Sequence, residues 1–379
     1  MTQAAYEHLS PAKESAAGSR APLEKGSLLE RMAAQNVEHR AVIERIKQER
    51  GADLVILGHH YQRKEIVDYA DIVGDSFKLA RDGALARGRS LVFCGVRFMV
   101  ESCAVLKRED QRVFHPTAQA GCPMADMGDI DDAIRSWTEL EAICGAGSLL
   151  PITYMNSFAD LKAFCGRNGG TVCTSSNAER VFRWAFEQGK KIFFFPDEHL
   201  GRNTARKFGL GPQDEVLWDG TLPGGGADPE RVRRARVILW KGYCHVHTHF
   251  TVAMVERARS LCPGAKVIVH PECMEEVLAV ADAHGSTEAI CRYVEDAGPG
   301  ATIVIGTEVN MIDRLARDFS DRRVLALDRS LCPNMYKINL ANLRSCLEQD
   351  LDDPSKAVEV PANVRAEARI ALERMLAMP

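Results

Sequence analysis

The chain has 379 residues, 26% of them charged, and a formal net charge of -4. It carries no general basic field, which argues against nucleic acid or an anionic membrane as partner and favours small-molecule chemistry; the length exceeds one ordinary core and predicts two or three domains. Twelve cysteines, behind an N-terminus (MTQAAYEHLSPAKES) that lacks an apolar signal segment, predict a reducing, cytoplasmic setting; there thiols serve metals or catalysis more readily than disulfides. No apolar run is long enough to span a bilayer.

Residues 1–27 are rich in Ala, Ser, Pro and charge without a clean period, and predict a mobile extension. Leu28 to Arg50 predicts a charged amphipathic helix that stops at Gly51. Short β-rich runs then alternate with helical patterns in three groups. The first group is LVILGH, LVFCGV and RVFHP; the second PITYMN, TVCTS, KIFFFP and VILW; the third KVIVHPE, TIVIGTE and RVLALD. Strands separated by helices read as βαβ units with parallel sheets. The expected fold is α/β: three small three-layer α/β/α domains around a shared centre, spanning 28–122, 123–244 and 245–332. The helical tail, 333–379, is expected to pack on the first. The glycine-rich loop Leu222 to Glu230 reads as a connector, because a phosphate-cradling loop needs its glycines between a strand and a helix.

Each group ends shortly before a cysteine in a polar segment: Cys122, Cys244 and Cys332. Thiolates just past strand ends sit where an open sheet puts its ligands, and three of them suggest one shared metal site. Three ligands would leave a metal position open, as a catalytic metal needs. Spacing alone does not settle the metal, for there is no CxxC, and most cysteines read as packing residues. These are Cys94, Cys103, Cys144, Cys165, Cys262, Cys291 and Cys346, with Cys173 and Cys273 beside a site rather than in it.

CHVHTHF places His245, His247 and His249 at alternate positions; on a strand they would share a face, and at a helix start they would diverge. His270-Pro271-Glu272 ends the strand KVIV, where a semi-buried carboxylate beside His can have a raised pKa suited to acid/base work. His59-His60-Tyr61 and Tyr154-Met155-Asn156 end other strands. Asp75-Ser76, Ser175-Ser176-Asn177 and Ser286-Thr287 precede helical patterns, either as N-caps or as anion sites built on free backbone N–H groups.

In order, the segments ILGHHYQ, GDSFKLAR, GVRFMVES, GCPMAD, ITYMNS, CTSSNA, FFPDEHLGRN, WKGYCHVH, HPEC, GSTEAI, IGTE and LCPNM resemble the quinolinate synthase family, iron–sulfur enzymes of NAD biosynthesis. The resemblance covers nearly the whole chain after residue 50. It implies a pseudo-threefold arrangement of the three domains around a central active site. There a [4Fe-4S] cluster would be held by Cys122, Cys244 and Cys332, its fourth iron facing substrate. The implied reaction condenses iminoaspartate with dihydroxyacetone phosphate, releasing phosphate and water to give quinolinate, with an L-aspartate oxidase or dehydrogenase as the implied functional partner. Glu272, Tyr61 and His247 would be catalytic. His59, Ser76, Tyr154, Asn156, Ser175, His270 and Thr287 would join Glu272 in contacting substrate, with Ser286 a weaker candidate. The CxxC pair that some relatives carry beside the third ligand is absent at Cys332. Two other readings stand beside this one: a zinc or manganese hydrolase built on His245, His247, His249 and His270, and an iron–sulfur sensor or carrier, which has no need of the polar set at the strand ends.

Overall fold

Short apolar runs buried on both faces need helices above and below them, and in this chain they form three parallel sheets. The computed structural model describes residues 28–378; the extension expected over 1–27 lies outside the described residues. The first sheet contains β1 (Leu54–His59), β2 (Ile72–Gly74), β3 (Ser90–Cys94) and β4 (Arg112–Phe114) in the order β2-β1-β3-β4. The second contains β5 (Leu149–Tyr154), β6 (Thr171–Cys173), β7 (Lys191–Phe195), β8 (Glu215–Trp218) and β9 (Val237–Trp240) in the order β6-β5-β7-β9-β8. The third contains β10 (Lys266–Val269), β11 (Ala283–His284), β12 (Thr302–Gly306) and β13 (Arg323–Ala326) in the order β11-β10-β12-β13. One strand order is thus used three times, with β8 added at an edge of the second sheet. Each sheet with its helices is an α/β/α unit.

Register keeps the carboxyl ends of neighbouring strands level. His59 pairs with Gly74, Tyr154 with Cys173, and Val269 with both His284 and Gly306. Loops therefore leave each sheet along one edge, at the height where an α/β layer collects its ligands. The strands that the sequence pattern did not reveal, β2, β8 and β11, are all outermost in their sheets. Two to four residues at an edge carry too little alternation to stand out.

The helix Leu28–Arg50 forms where expected, yet among its described side chains only Ile43 and Ile46 are buried. The tail divides. Helix Leu340–Leu347 packs on Leu28–Arg50 and β3, whereas the closing helix Ala362–Ala377 lies along Ala159–Arg167 of the second unit and touches Arg97–Leu106 of the first. The expected packing of 333–379 on the first unit is corrected accordingly. The reason is local: Gly166 presents no side chain, and a Cβ there would lie 2.0 Å from the carbonyl oxygen of Glu367. Thr171 Oγ1 donates to the Ala371 carbonyl at 3.1 Å, and Arg167 pairs with Glu367 at 3.0 Å.

Gly166→Ala is expected to force this helix pair apart, at a cost of roughly 1–3 kcal/mol for overpacking. Thermal denaturation checks it: a Tm equal to that of the unsubstituted chain would mean that the two backbones do not approach so closely.

Candidate active site

Because the three units repeat one strand order, equivalent loops come from all three to a common centre. The loop after the first-paired central strand supplies His59 and Tyr61 (β1), Tyr154 and Asn156 (β5), and His270 and Glu272 (β10). The connection after the neighbouring edge strand supplies Ser76, Ser175 and Thr287. The loops after β4, β9 and β13 supply Cys122, Cys244 and Cys332. Together with His247 these residues line one cavity, a concave site on which several polar groups converge, as small-molecule sites are built. Every residue that the resemblance assigned to catalysis, substrate contact or cluster ligation faces it except Ser286; His60, His245 and His249 do not. Its remaining wall includes the apolar Val96, Phe98, Met99 and Met335.

Each cavity cysteine stands immediately before a four-residue helix: Pro123–Asp126, His245–Thr248 or Pro333–Tyr336. Backbone N–H groups of Ala125, Val246 and Met335 approach the three sulfurs. All three thiols are free and half-exposed as residues. Burial of the sulfur pushes Cys122 up to about 12, and pushes Cys244 well above the ordinary thiol value, with Glu272, Cys122 and Cys332 adding to it. Cys332 is raised by burial and by Glu308. Three mutually repelling thiolates are thus disfavoured unless a cation joins them. Cys94, Cys103, Cys165, Cys173, Cys262, Cys273 and Cys346 are buried and, like the half-buried Cys144 and Cys291, do not border the cavity.

Beside Cys244 runs a continuous hydrogen-bonded chain. Tyr154 donates its hydroxyl to Glu272 Oε1, and Glu272 Oε2 meets His247 Nδ1 at 2.9 Å. His247 Nε2 lies 3.2 Å from both the Tyr61 hydroxyl and Thr307 Oγ1, which are themselves 2.7 Å apart. The His270 ring stacks on that of His247 with centroids 4.1 Å apart. Glu272 is only 2% exposed. Burial alone would raise its carboxyl, but the His247 and His270 imidazoles and the bonds from His247 and Tyr154 outweigh burial and hold it well below the usual carboxylate range. The raised value expected for this group is therefore corrected, because its surroundings are donors rather than an apolar pocket. Burial holds His59 and His270 down at about 3, helped in each case by a neighbouring histidine. Burial and the Glu272 charge push the Tyr61 and Tyr154 hydroxyls well above their ordinary value. The site thus offers one ionised carboxylate, two neutral imidazoles and two protonated phenols. Carboxylate as acceptor and phenol as donor are the pairing that acid/base catalysis requires.

The histidine cluster does not act as a set. CHVHTHF opens a helix, so its alternate positions diverge: His247 turns inward, while His245 and His249 are exposed and His249 pairs with Asp328 at 3.2 Å. His60 turns away from the cavity to Glu288 at 3.0 Å and Arg314 at 2.8 Å. At two helix starts the preceding residue is the cap: Asp75 accepts from Lys78 N and Ser286 from Ala289 N. Ser76 and Thr287 face the cavity, which Asp75 also borders and Ser286 does not.

Two positions near the site escaped sequence reasoning. Thr307 closes the chain at Tyr61 and His247; its signal was its place directly after the central strand β12. Lys162, fully buried, donates its Nζ to the carbonyls of Met155, at 2.9 Å, and Ser157, the two neighbours of Asn156. A lone lysine in ADLKAFCGR carries no signal of that kind.

Comparison with known proteins agrees with the motifs. Residues 41–377 match the family model described as quinolinate synthetase A protein. A quinolinate synthase of Acidobacterium capsulatum is 48% identical over 332 residues, covering 86% of this chain and 89% of that protein. One of Nocardioides sp. is 46% identical over 353 residues (89% and 90%), and one of Streptomyces coelicolor 46% over 340 residues (88% and 86%). With a family match over most of its length and relatives at this identity, the chain belongs to the quinolinate synthetase A family.

Proposed function

We propose that the chain condenses iminoaspartate with dihydroxyacetone phosphate, releasing phosphate and water to form quinolinate for NAD biosynthesis. The observation that carries the reading is the meeting of Cys122, Cys244 and Cys332, one from each unit, with Glu272 on a single cavity. Three thiols, and no fourth cysteine on the cavity among the described residues, fit a [4Fe-4S] cluster, because thiolates are the ligands such clusters take. When bound, the cluster supplies a Lewis-acidic iron without a protein thiol.

The protein's own groups account for the proton traffic that condensation, isomerisation and dehydration need. Glu272, ionised at rest, accepts a proton from the substrate carbon; Tyr154 and Tyr61, protonated at rest, donate to oxygens that leave or gain charge. His247 joins the two ends of the chain and relays between them. Ser76 and Thr287 lie at the first helical positions of Ser76–Leu85 and Thr287–Asp296. With Ser175, they hold the phosphate and carboxylate groups where free backbone N–H groups converge. Asn156, His59 and His270 orient the remaining polar atoms, and the apolar wall limits water. The unstable iminoaspartate is supplied by an L-aspartate oxidase or dehydrogenase, in the cytoplasm. Among the described residues no helix is long and apolar enough to cross a membrane.

A second reading has one observation in its favour. Donor atoms of Cys244, His247 and Glu272 lie within 4.8 Å of one another, a spacing that suits a single zinc or manganese ion. The histidine-centred version of that site loses His245 and His249 to the surface.

Anaerobic purification with metal analysis separates the two readings. About four irons and four sulfides per chain with a broad brown absorption are expected; one colourless zinc would support the second. Cys122→Ser, Cys244→Ser and Cys332→Ser are each expected to lose the cluster and Cys94→Ser to keep it, measured by the same counts. Glu272→Gln is expected to retain iron while quinolinate formation falls ~100- to 10,000-fold; near-normal turnover would remove Glu272 from the chemistry.

A further inference from the structure

Glu272 belongs to the third unit, yet its backbone is held from the second. Asn203 lies in the helix Glu198–Arg206, which follows β7, and is 6% exposed. Its side-chain nitrogen donates to the carbonyl of Pro271 at 2.9 Å and to that of Cys273 at 2.8 Å. Those carbonyls belong to the residues on either side of Glu272, so one amide group spans the residue that carries the carboxylate. Both acceptors are carbonyls, and only the NH2 edge of an amide satisfies both; the orientation of the side chain is fixed by its partners.

The clamp is itself anchored. Asp197 caps the helix through Leu200 N at 2.6 Å. One turn beyond Asn203, Arg206 pairs with Glu275 at 2.7 and 3.1 Å, gripping the third unit just after the Glu272 loop. Within its own unit the loop's backbone is held by three hydrogen bonds, of which only the first reaches beyond the loop itself. His270 N donates to the Gly306 carbonyl at 3.1 Å, Cys273 N donates to the His270 carbonyl at 3.0 Å, Glu272 N reaches His270 Nδ1 at 3.4 Å, and Pro271 has no N–H to offer. Tyr154, which donates to the Glu272 carboxylate, also comes from the second unit.

We propose that Asn203 is a positioning residue for Glu272, setting the carboxylate against Tyr154 and His247 from across the boundary between the second and third units. The inference rests on the assignment of Glu272 to proton transfer. Asn203→Asp keeps the shape but replaces two donors with acceptors facing carbonyls, so the loop shifts. Displacement of a reacting group by about 1 Å costs up to about a hundredfold in rate.

The test uses the full chain, reconstituted anaerobically and assayed for quinolinate by mass spectrometry. Asn203→Asp is expected to lower kcat about 10- to 100-fold while KM for dihydroxyacetone phosphate stays within roughly threefold, with iron content and absorption spectrum unchanged. Placed on Glu272→Gln, it is expected to add no further loss, because a residue that acts only through Glu272 has nothing left to position. Should Asn203→Asp fail to fold, Asn203→Ser, which is smaller and admits water, carries the same readouts. An inactive Glu272→Gln enzyme alongside a fully active Asn203→Asp enzyme would overturn the inference and leave the functional reading standing. Losses that multiply in the double variant would overturn it too, showing a general structural role. An active Glu272→Gln enzyme would overturn the assignment of Glu272 and the inference with it.

Discussion

A carboxylate removed from water must be met by donors or lose its charge, and the burial of Glu272 imposes that demand at the centre of this molecule. The donors come from different units: Tyr154 from the second, His247 from the segment that enters the third, and Tyr61 of the first through His247. Each unit therefore contributes to keeping one charge in place, and a displacement of any of them changes the surroundings of that charge. The Cys244 sulfur lies within 4.8 Å of the donor atoms of His247 and Glu272, so the thiol group and the acid–base chain share one electrostatic environment.

Repetition of one parallel strand order makes this convergence possible. Level carboxyl ends send the polar loops out on one side of each sheet, and three such edges facing a common centre enclose a cavity that a single sheet would leave open. The positions equivalent in the fold take related chemistry: hydroxyls at the starts of Ser76–Leu85 and Thr287–Asp296, and a thiol before each four-residue helix. Where the units differ, the difference is local. β8 extends only the second sheet, and the closing helix settles where Gly166 lets it approach.

Legibility in the sequence followed the strength of each local pattern. Central strands such as β1, β5 and β10 stood out because buried parallel strands are nearly continuous apolar runs, whereas the edge strands β2, β8 and β11 did not. The motif-bearing loops could be read as site segments because they follow those strong strands directly. Within a loop, direction was not legible: His59 faces the cavity and His60 the Glu288–Arg314 pair, though they are neighbours. The protonation state of Glu272 ran opposite to expectation, since its burial was foreseeable while its donors, from residues 118 and 25 positions away, were not.

By itself the sequence determined the α/β class, the three groups of strands, the family, and the segments that reach the cavity, because those features rest on short-range periodicity and on contiguous motifs. Tertiary structure alone decided which histidine of CHVHTHF turns inward, which of Ser286 and Thr287 caps a helix and which lines the site, the charge carried by Glu272, and the hold of Asn203 on its backbone. These depend on contacts between segments far apart in the chain, where geometry and electrostatics are set by the packing of the units rather than by neighbours in sequence.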